Sequence, residues 1–302
     1  MRPYFNDSSA DEPKLLAYLN LANLDDLRPD SIWPGLTGTA RDERLAADGF
    51  DGVQCVDSAP PPGGTRLRHC GSDRVNLPAE ADPIVASHAA LGHDCLTLHV
   101  GWGIEDDDGI DRLMEAILRA SDHHRLPVFI ETHRATITQD IWRTVQLTKR
   151  FPEVRFNADF SHYYTGQELP YGGMEMKLAF MQPIFDRVAF MHGRIGSSGC
   201  IQVSIGDGKS RPPAANGVTD FLEDFKTLWT HAMAVFLRNA SPGDCLIFCP
   251  ELLPGAHYYA RRFFDPSGSS VEESDRYREA LVYNEIARSC FVDARKRIAA
   301  DI

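Results

Sequence analysis

An α/β chain closed into a single eight-stranded (β/α)8 TIM barrel is the architecture this sequence predicts, and three observations predict it. From about residue 14 onward, short apolar runs alternate with amphipathic stretches, as in βα units feeding a parallel sheet. Eight apolar runs of strand length can be picked out. No linker long enough to divide the chain falls between them, and 302 residues suit one barrel. Residues 1–302 are therefore expected to form one domain, with 1–13 as an N-terminal extension.

The strand candidates are Leu15 to Leu21, Gly52 to Val56, Cys95 to Val100, Pro127 to Glu131, Val154 to Asp159, Val188 to His192, a weak one near Ile201 to Ile205, and Cys245 to Pro250. Helical spacing appears between them, as in Ile110-x-x-Leu113-Met114-x-x-Ile117-Leu118, where Asp and Arg take the other face. Asp140 to Lys149, Met174 to Phe185 and Asp220 to Leu237 read the same way. Val282-x-x-x-Ile286-x-x-x-Cys290-Phe291 predicts a closing helix. Two segments interrupt the rhythm, Ala59 to Gly64 and Gly193 to Gly217. Each follows the C-terminal end of a strand, where barrel loops either cover a substrate or form plain surface insertions.

The formal net charge is −12 and the basic residues are scattered, so no phosphate-neutralising surface is visible and nucleic acid is not expected as a partner. The start has no apolar leader and no apolar run approaches the ~18 residues of a membrane span, so a cytoplasmic protein without a membrane partner is expected. Seven cysteines at irregular spacing include no C-x-x-C pair, which suits a reducing compartment. Cys245 and Cys249 flank Leu246-Ile247-Phe248 and read as small apolar residues of a buried strand.

Four strand candidates run into a single metal-ligating group: Val128-Phe129-Ile130-Glu131, Phe156-Asn157-Ala158-Asp159, Ala189-Phe190-Met191-His192 and Ile247-Phe248-Cys249-Pro250-Glu251. A charge at the end of a core strand costs free energy to desolvate, and one divalent cation offsets several at once. Taken singly, each is better read as a helix cap, a salt-bridge partner or a hydrogen-bonded core histidine. Four in phase read as one site. Successive candidates are 28, 33 and 59 residues apart, or one, one and two βα units, so one strand is skipped before Glu251. Parallel barrel strands all end on one face, where the four side chains can converge. Three carboxylates and an imidazole favour Mn2+, Mg2+ or Co2+, with Zn2+ also admissible.

Over roughly residues 90 to 260 the sequence resembles the sugar isomerase and epimerase group of xylose-isomerase-like barrels, which includes tagatose 3-epimerases, hydroxypyruvate isomerases and inosose dehydratases. That group holds its metal with Glu, Asp, His and Glu at four strand ends, the positions of Glu131, Asp159, His192 and Glu251. Asp159-Phe160-Ser161-His162 is similar to its D-x-x-H, and Glu131-Thr132-His133-Arg134 and His99-Val100-Gly101-Trp102 to two further strand ends. The resemblance implies a sugar-like polyhydroxy carbonyl substrate, with Glu131 and Glu251 exchanging a proton with its two faces through an enediolate. His99, Trp102, His133, His162 and Arg194 are the candidates for substrate contact, and a homo-oligomer is a family-level expectation. At one point the sequence departs from the epimerase branch: the sixth residue after His192, an arginine there, is Ser198, with Arg194 as the candidate substitute.

Other readings stay open. A metal-dependent lyase or dehydratase would use the same ion and base but expel a leaving group by β-elimination. Endonuclease-type relatives need more histidine ligands than Cys55-Val56-Asp57 and the Ile201 region offer, although His99 supplies one. A barrel that has lost its activity and only binds is the non-enzymatic alternative. Gly208-Lys209-Ser210 resembles the end of a phosphate loop, but Val203 stands where its first glycine belongs. Asp122-His123-His124-Arg125 reads as a capped helix end. His257-Tyr258-Tyr259 and Tyr163-Tyr164 read as pocket wall or as packing.

Overall fold

The structure, a computed structural model, describes residues 4–56, 66–210 and 221–300. The segment Ala59 to Gly64 lies outside the described residues, as do positions 211–217 of the second irregular segment. Eight parallel strands form the sheet: β1 (Lys14–Asn20), β2 (Gly52–Cys55), β3 (Arg68–Val75), β4 (Leu96–Val100), β5 (Val128–Glu131), β6 (Phe156–Ala158), β7 (Val188–Gly193) and β8 (Asp244–Pro250). Each pairs with the next, and β8 pairs with both β7 and β1, so the sheet closes on itself. A two-residue strand, Phe5–Asn6, adds antiparallel to the start of β8, and Tyr4 packs edge-on against Phe236 at 4.9 Å. The stretch expected to be an extension is thus tied to the barrel.

Helices α1 (Gly38–Ala47), α2 (Ala81–Ala90), α3 (Asp107–His124), α4 (Ile141–Arg150), α5 (Phe160–Gly166), α6 (Met174–Phe180), α7 (Gln182–Phe185), α8 (Phe221–Asn239) and α9 (Arg276–Ala300) accompany the strands. A hairpin of β9 (Arg262–Phe264) and β10 (Ser270–Glu272) follows β8. Local chemistry explains the ends of α3. Asp106 accepts from the Gly109 amide, Asp107 and Asp108 occupy the first turn, His123 and His124 the last, and Arg125 turns left-handed at φ 55°. The expected helix from Met174 to Phe185 divides at Met181, because Pro183 has no amide with which to continue it.

One expected strand and one unexpected strand need correction. Ile201 to Ile205 is not a strand: the Glu279 carboxylate on α9 accepts from Ser204 Oγ (2.5 Å), Ile205 N (3.0 Å) and Gly206 N (3.2 Å), and Gln202 bonds Leu253 at both ends of its amide. Side chains hold this segment where a sheet ladder would. The strand without a sequence forecast is β3, whose Arg68-His69-Cys70-Gly71-Ser72-Asp73-Arg74-Val75 contains no apolar run. Gly71 is required there, since a Cβ would stand 2.2 Å from Nδ1 of His88. Inserting β3 renumbers the barrel, so Glu131, Asp159, His192 and Glu251 follow strands five to eight and none is skipped. Among the described residues the 59-residue interval holds a long connection and α8, with no strand before β8.

Among the described residues no helix is long and apolar enough to cross a membrane. All seven cysteines are free, and Cys245 and Cys249 are fully buried in β8, as small apolar residues are.

Candidate metal centre

Residues two apart on a strand share a face, so Phe129 and Glu131, Phe190 and His192, and Cys249 and Glu251 point the same way at the C-terminal end of the barrel strands. The strand ends bring one ligand atom each of Glu131, Asp159, His192 and Glu251 within 4.8 Å of one another, all four buried. Nδ1 of His192 lies 3.3 Å from Oε2 of Glu131 and 3.4 Å from Oε2 of Glu251. Gly193 allows this packing, because a Cβ there would meet the Phe248 ring at 2.4 Å.

A polar layer beneath the cluster orients it. Gln54 donates to Thr97 Oγ1 (3.0 Å), while its carbonyl oxygen faces Asn20 Nδ2 (2.8 Å) and His192 Nε2 (2.9 Å). Nε2 of His192 therefore donates to Gln54, which leaves Nδ1 as the atom facing the carboxylates, with Asn157 Nδ2 at 3.1 Å. Asn20 also donates to Glu251 Oε1 (3.0 Å), and Asn157 to Glu131 Oε2 (3.1 Å). Asp159 ends β6 and caps α5, accepting from Ser161 N (2.9 Å) and Oγ (2.5 Å) through Oδ1, which leaves Oδ2 toward the site.

Arg194, buried two residues past His192, inserts its guanidinium between Asp159, at 3.0 Å, and the Glu251 carboxylate. Its aliphatic and planar parts lie under Tyr259, 4.4 Å from the ring centre. His162, one turn beyond Asp159 on α5, stands 3.5 Å from Oδ2 of that residue and stacks on His133 at 3.8 Å. His133 in turn packs against His99 at 4.2 Å and reaches Tyr259 Oη at 3.3 Å through Nε2. Oε1 of Glu131 faces Nε2 of His99 at 3.1 Å.

The charges respond to this crowding. Burial pushes the Asp159 carboxyl up to about 6 against the pull of Arg194. Burial alone would lower the His192 imidazole, but Glu251 and Glu131 outweigh it and hold it up to about 9, a proton standing where a cation would. Burial also opposes ionisation of Glu131, yet His99 and His192 keep its carboxyl well below the usual range. Burial holds His133 down to about 3, with His99 adding to it, and holds His162 lower than an ordinary histidine. Both stay neutral at pH 7.

The donor set fits a divalent cation on two further counts. Oε1 of Glu131 is buried and makes no hydrogen bond. Buried acceptors are normally satisfied, so it calls for a cationic partner. Ligand atoms 3.3 and 3.4 Å apart also match the edges of a coordination polyhedron with bonds of about 2.0–2.2 Å.

Of the residues expected at the site, the barrel brings together Glu131, Asp159, His192, Glu251, His99, His133, His162 and Arg194. Trp102 is not brought to the cluster: it is half exposed beyond Gly101, with its amide held by Glu105 at 2.7 Å. Tyr259 walls the site, whereas Tyr163 and Tyr164 pack inside, their hydroxyls on Thr144 and Asp224. His124 pairs with Asp82 at the surface. Asn20, Gln54 and Asn157 escaped the sequence reading. Their signal was present, a single amide in an otherwise apolar strand, but an uncharged residue there draws less notice than a carboxylate.

No protein-family model matches the chain, and no curated protein matches it. Solved structures do. Protein SMc04130 from Sinorhizobium meliloti 1021 aligns over 91% of this chain and 98% of its own at 15% identity, with a TM-score of 0.51. A D-tagatose 3-epimerase-like protein aligns over 94% and 99% at 10% identity and a TM-score of 0.50. The fold of this chain is the (β/α)8 TIM barrel that these structures share. The probable 3-DHS dehydratase AsbF from Bacillus anthracis, involved in petrobactin synthesis, shares it over 78% of this chain and 92% of its own at 12% identity, with a TM-score of 0.50. At such identities the likeness is one of fold. Within this TIM barrel, chemistry has to be argued from the side chains at its mouth.

Proposed function

We propose that this protein is a divalent-metal-dependent isomerase or epimerase of a sugar or related polyhydroxy carbonyl compound. The observation that carries the reading is the convergence of Glu131, Asp159, His192 and Glu251 within 4.8 Å. Oxygens of the three carboxylates and Nδ1 of His192 would hold the ion. When bound, it supplies Lewis acidity that polarises a substrate carbonyl and acidifies the neighbouring C–H.

The chain's own groups perform the proton transfers. Glu131 and Glu251 approach Nδ1 of His192 from separate strands, and both present an oxygen to the site. In the forward step the substrate C–H bond breaks, its proton passes to a Glu131 oxygen, and the electron pair moves onto the carbonyl oxygen to give an enediolate. Glu251, protonated at the start of the cycle, then delivers its proton to the other face or the adjacent carbon, and Glu131 ends the cycle holding the proton it took. Neutral His133 and His162 face the substrate hydroxyls, and the Arg194 guanidinium bridges the Asp159 and Glu251 carboxyls. A second reading, β-elimination by a lyase, draws support from Tyr259, whose hydroxyl meets His133 at 3.3 Å and offers a proton to a leaving oxygen.

Metal content of wild type, Glu251→Gln and His192→Ala, followed by incubation of the loaded protein with ketoses and polyols in D2O, tests both readings. Wild type should retain one or more ions that the variants lose, and Glu251→Gln should slow exchange by about 10²–10⁴-fold. Deuterium uptake without elimination supports the isomerase, and release of a leaving group supports the lyase. A wild-type protein that neither retains nor responds to metal overturns the proposal.

A further inference from the structure

Beside the four-residue cluster a second donor set converges: one nitrogen each of His99 and His133 and a carboxylate oxygen of Glu131 lie within 4.8 Å of one another. Nε2 of His99 stands 3.1 Å from Oε1 of Glu131, close enough for a hydrogen bond, yet both atoms are buried and neither makes one. Direction is what fails, so the two atoms sit side by side rather than head-on. That is how two ligands of one ion stand, since bonds of about 2.0–2.2 Å at roughly 90–110° place donors about 3.0–3.5 Å apart.

The two oxygens of Glu131 face different ways. Oε2 looks to His192 and Asn157, inside the first cluster, while Oε1 looks to His99. His133 is prepared as well. Its Nδ1 is turned onto the Arg134 carbonyl, which fixes the proton there and leaves Nε2 as the acceptor, met at 3.3 Å only by the Tyr259 hydroxyl that an ion would displace. We infer that Glu131 bridges two divalent cations, one in the Glu131, Asp159, His192 and Glu251 set and a second on His99, His133 and Oε1 of Glu131.

This inference rests on the reading of the first cluster as a metal centre and adds a second ion to it. Two imidazoles and one carboxylate suit Zn2+, Co2+ or Fe2+ better than Mg2+. Three protein ligands leave positions open for water or a substrate oxygen, and His99 and His133 are only half buried, on the open side of the cluster. Charge sets the order of filling. Three carboxylates and Arg194 together offset one divalent ion, so the second arrives at a neutralised centre, binds more weakly and is completed by an anion such as hydroxide or an acidic substrate oxygen.

Equilibrium dialysis of metal-stripped protein against Co2+, with cobalt counted per chain and the visible spectrum recorded, decides the matter. Wild type should take up two equivalents in two steps, the weaker one carrying its own absorption change. His99→Ala and His133→Ala should each lose only the weaker step and keep the tighter affinity within about threefold. Far-ultraviolet circular dichroism of the variants confirms that they are folded. A single equivalent in wild type overturns the second ion while leaving the proposed function standing, and no uptake overturns both. Two equivalents that persist in both histidine variants place the second ion elsewhere and also overturn the inference.

Discussion

Arg194 is the residue on which the electrostatics of the barrel mouth turn. Its guanidinium is fully buried between Asp159 and Glu251, and without it these carboxylates and Glu131 would share a dry site with only the His192 imidazole to offset them. Arg194→Ala is expected to destabilise the metal-free protein by about 3–5 kcal/mol, because removing one partner strands the others. Urea denaturation in the presence of a chelator measures this, with Arg194→Lys recovering part of the loss. A change under about 1 kcal/mol would show that the carboxylates are protonated or solvated instead. The four ligand candidates were legible at this scale because each is a charge at the end of an apolar run. The role of Arg194 as bridge was not, since nothing in a sequence tells which carboxylates a buried guanidinium meets.

Single elements carry two further consequences. The 201–208 segment hangs on the Glu279 carboxylate, which satisfies two backbone amides and one hydroxyl. Glu279→Ala should cost about 1–3 kcal/mol and raise amide exchange across 201–208 before anywhere else. Uniform exchange across the barrel would count against a local anchor. Where β3 meets α2, Nδ1 of His93 lies 2.9 Å from Nδ1 of His88, whose Nε2 is 3.2 Å from Asp73, and His69 stands at 6.2 Å. Burial, with His88 and then His69 adding to it, holds His93 down to about 4. The unfolded chain, titrating near 6.5, therefore takes up a proton that the folded one refuses. The stability this histidine contributes is complete above about 6.5 and is lost as pH falls toward 4. Denaturant melts across that range should show a shallower pH slope for His93→Gln, and an unchanged slope would assign acid sensitivity to other groups. Amphipathic elements such as α3 and α4 were legible because their apolar spacing is strong. The strand β3 was not, because its polar side chains are matched by neighbours that only the closed sheet supplies.

At the scale of the whole molecule, the four ligand candidates come from β5 to β8 and spread over 121 residues of chain, from Glu131 to Glu251. An unfolded chain has no such site, so a metal held at this cluster would bind the folded barrel alone. Free metal at about 100 times its dissociation constant should stabilise the fold by about 2.7 kcal/mol, seen as a higher melting temperature in Mn2+ or Co2+ than in chelator. Identical melting with and without metal would argue against a cation at this cluster.

The alternation of apolar runs with amphipathic stretches determined an α/β barrel, because each element announces its buried face through local periodicity. Strand-end charges nominated Glu131, Asp159, His192 and Glu251, because a desolvated charge is conspicuous without knowledge of its partner. Tertiary structure alone decided which strands number eight, since β3 is held by its neighbours and Ile201 to Ile205 by Glu279. It alone decided that Gln54, Asn20 and Asn157 lie beneath the cluster, that Arg194 enters it, and that Glu131 turns one oxygen to His192 and the other to His99. Those relations join residues far apart in the chain, and closure of the barrel is the physical event that brings them within hydrogen-bonding distance.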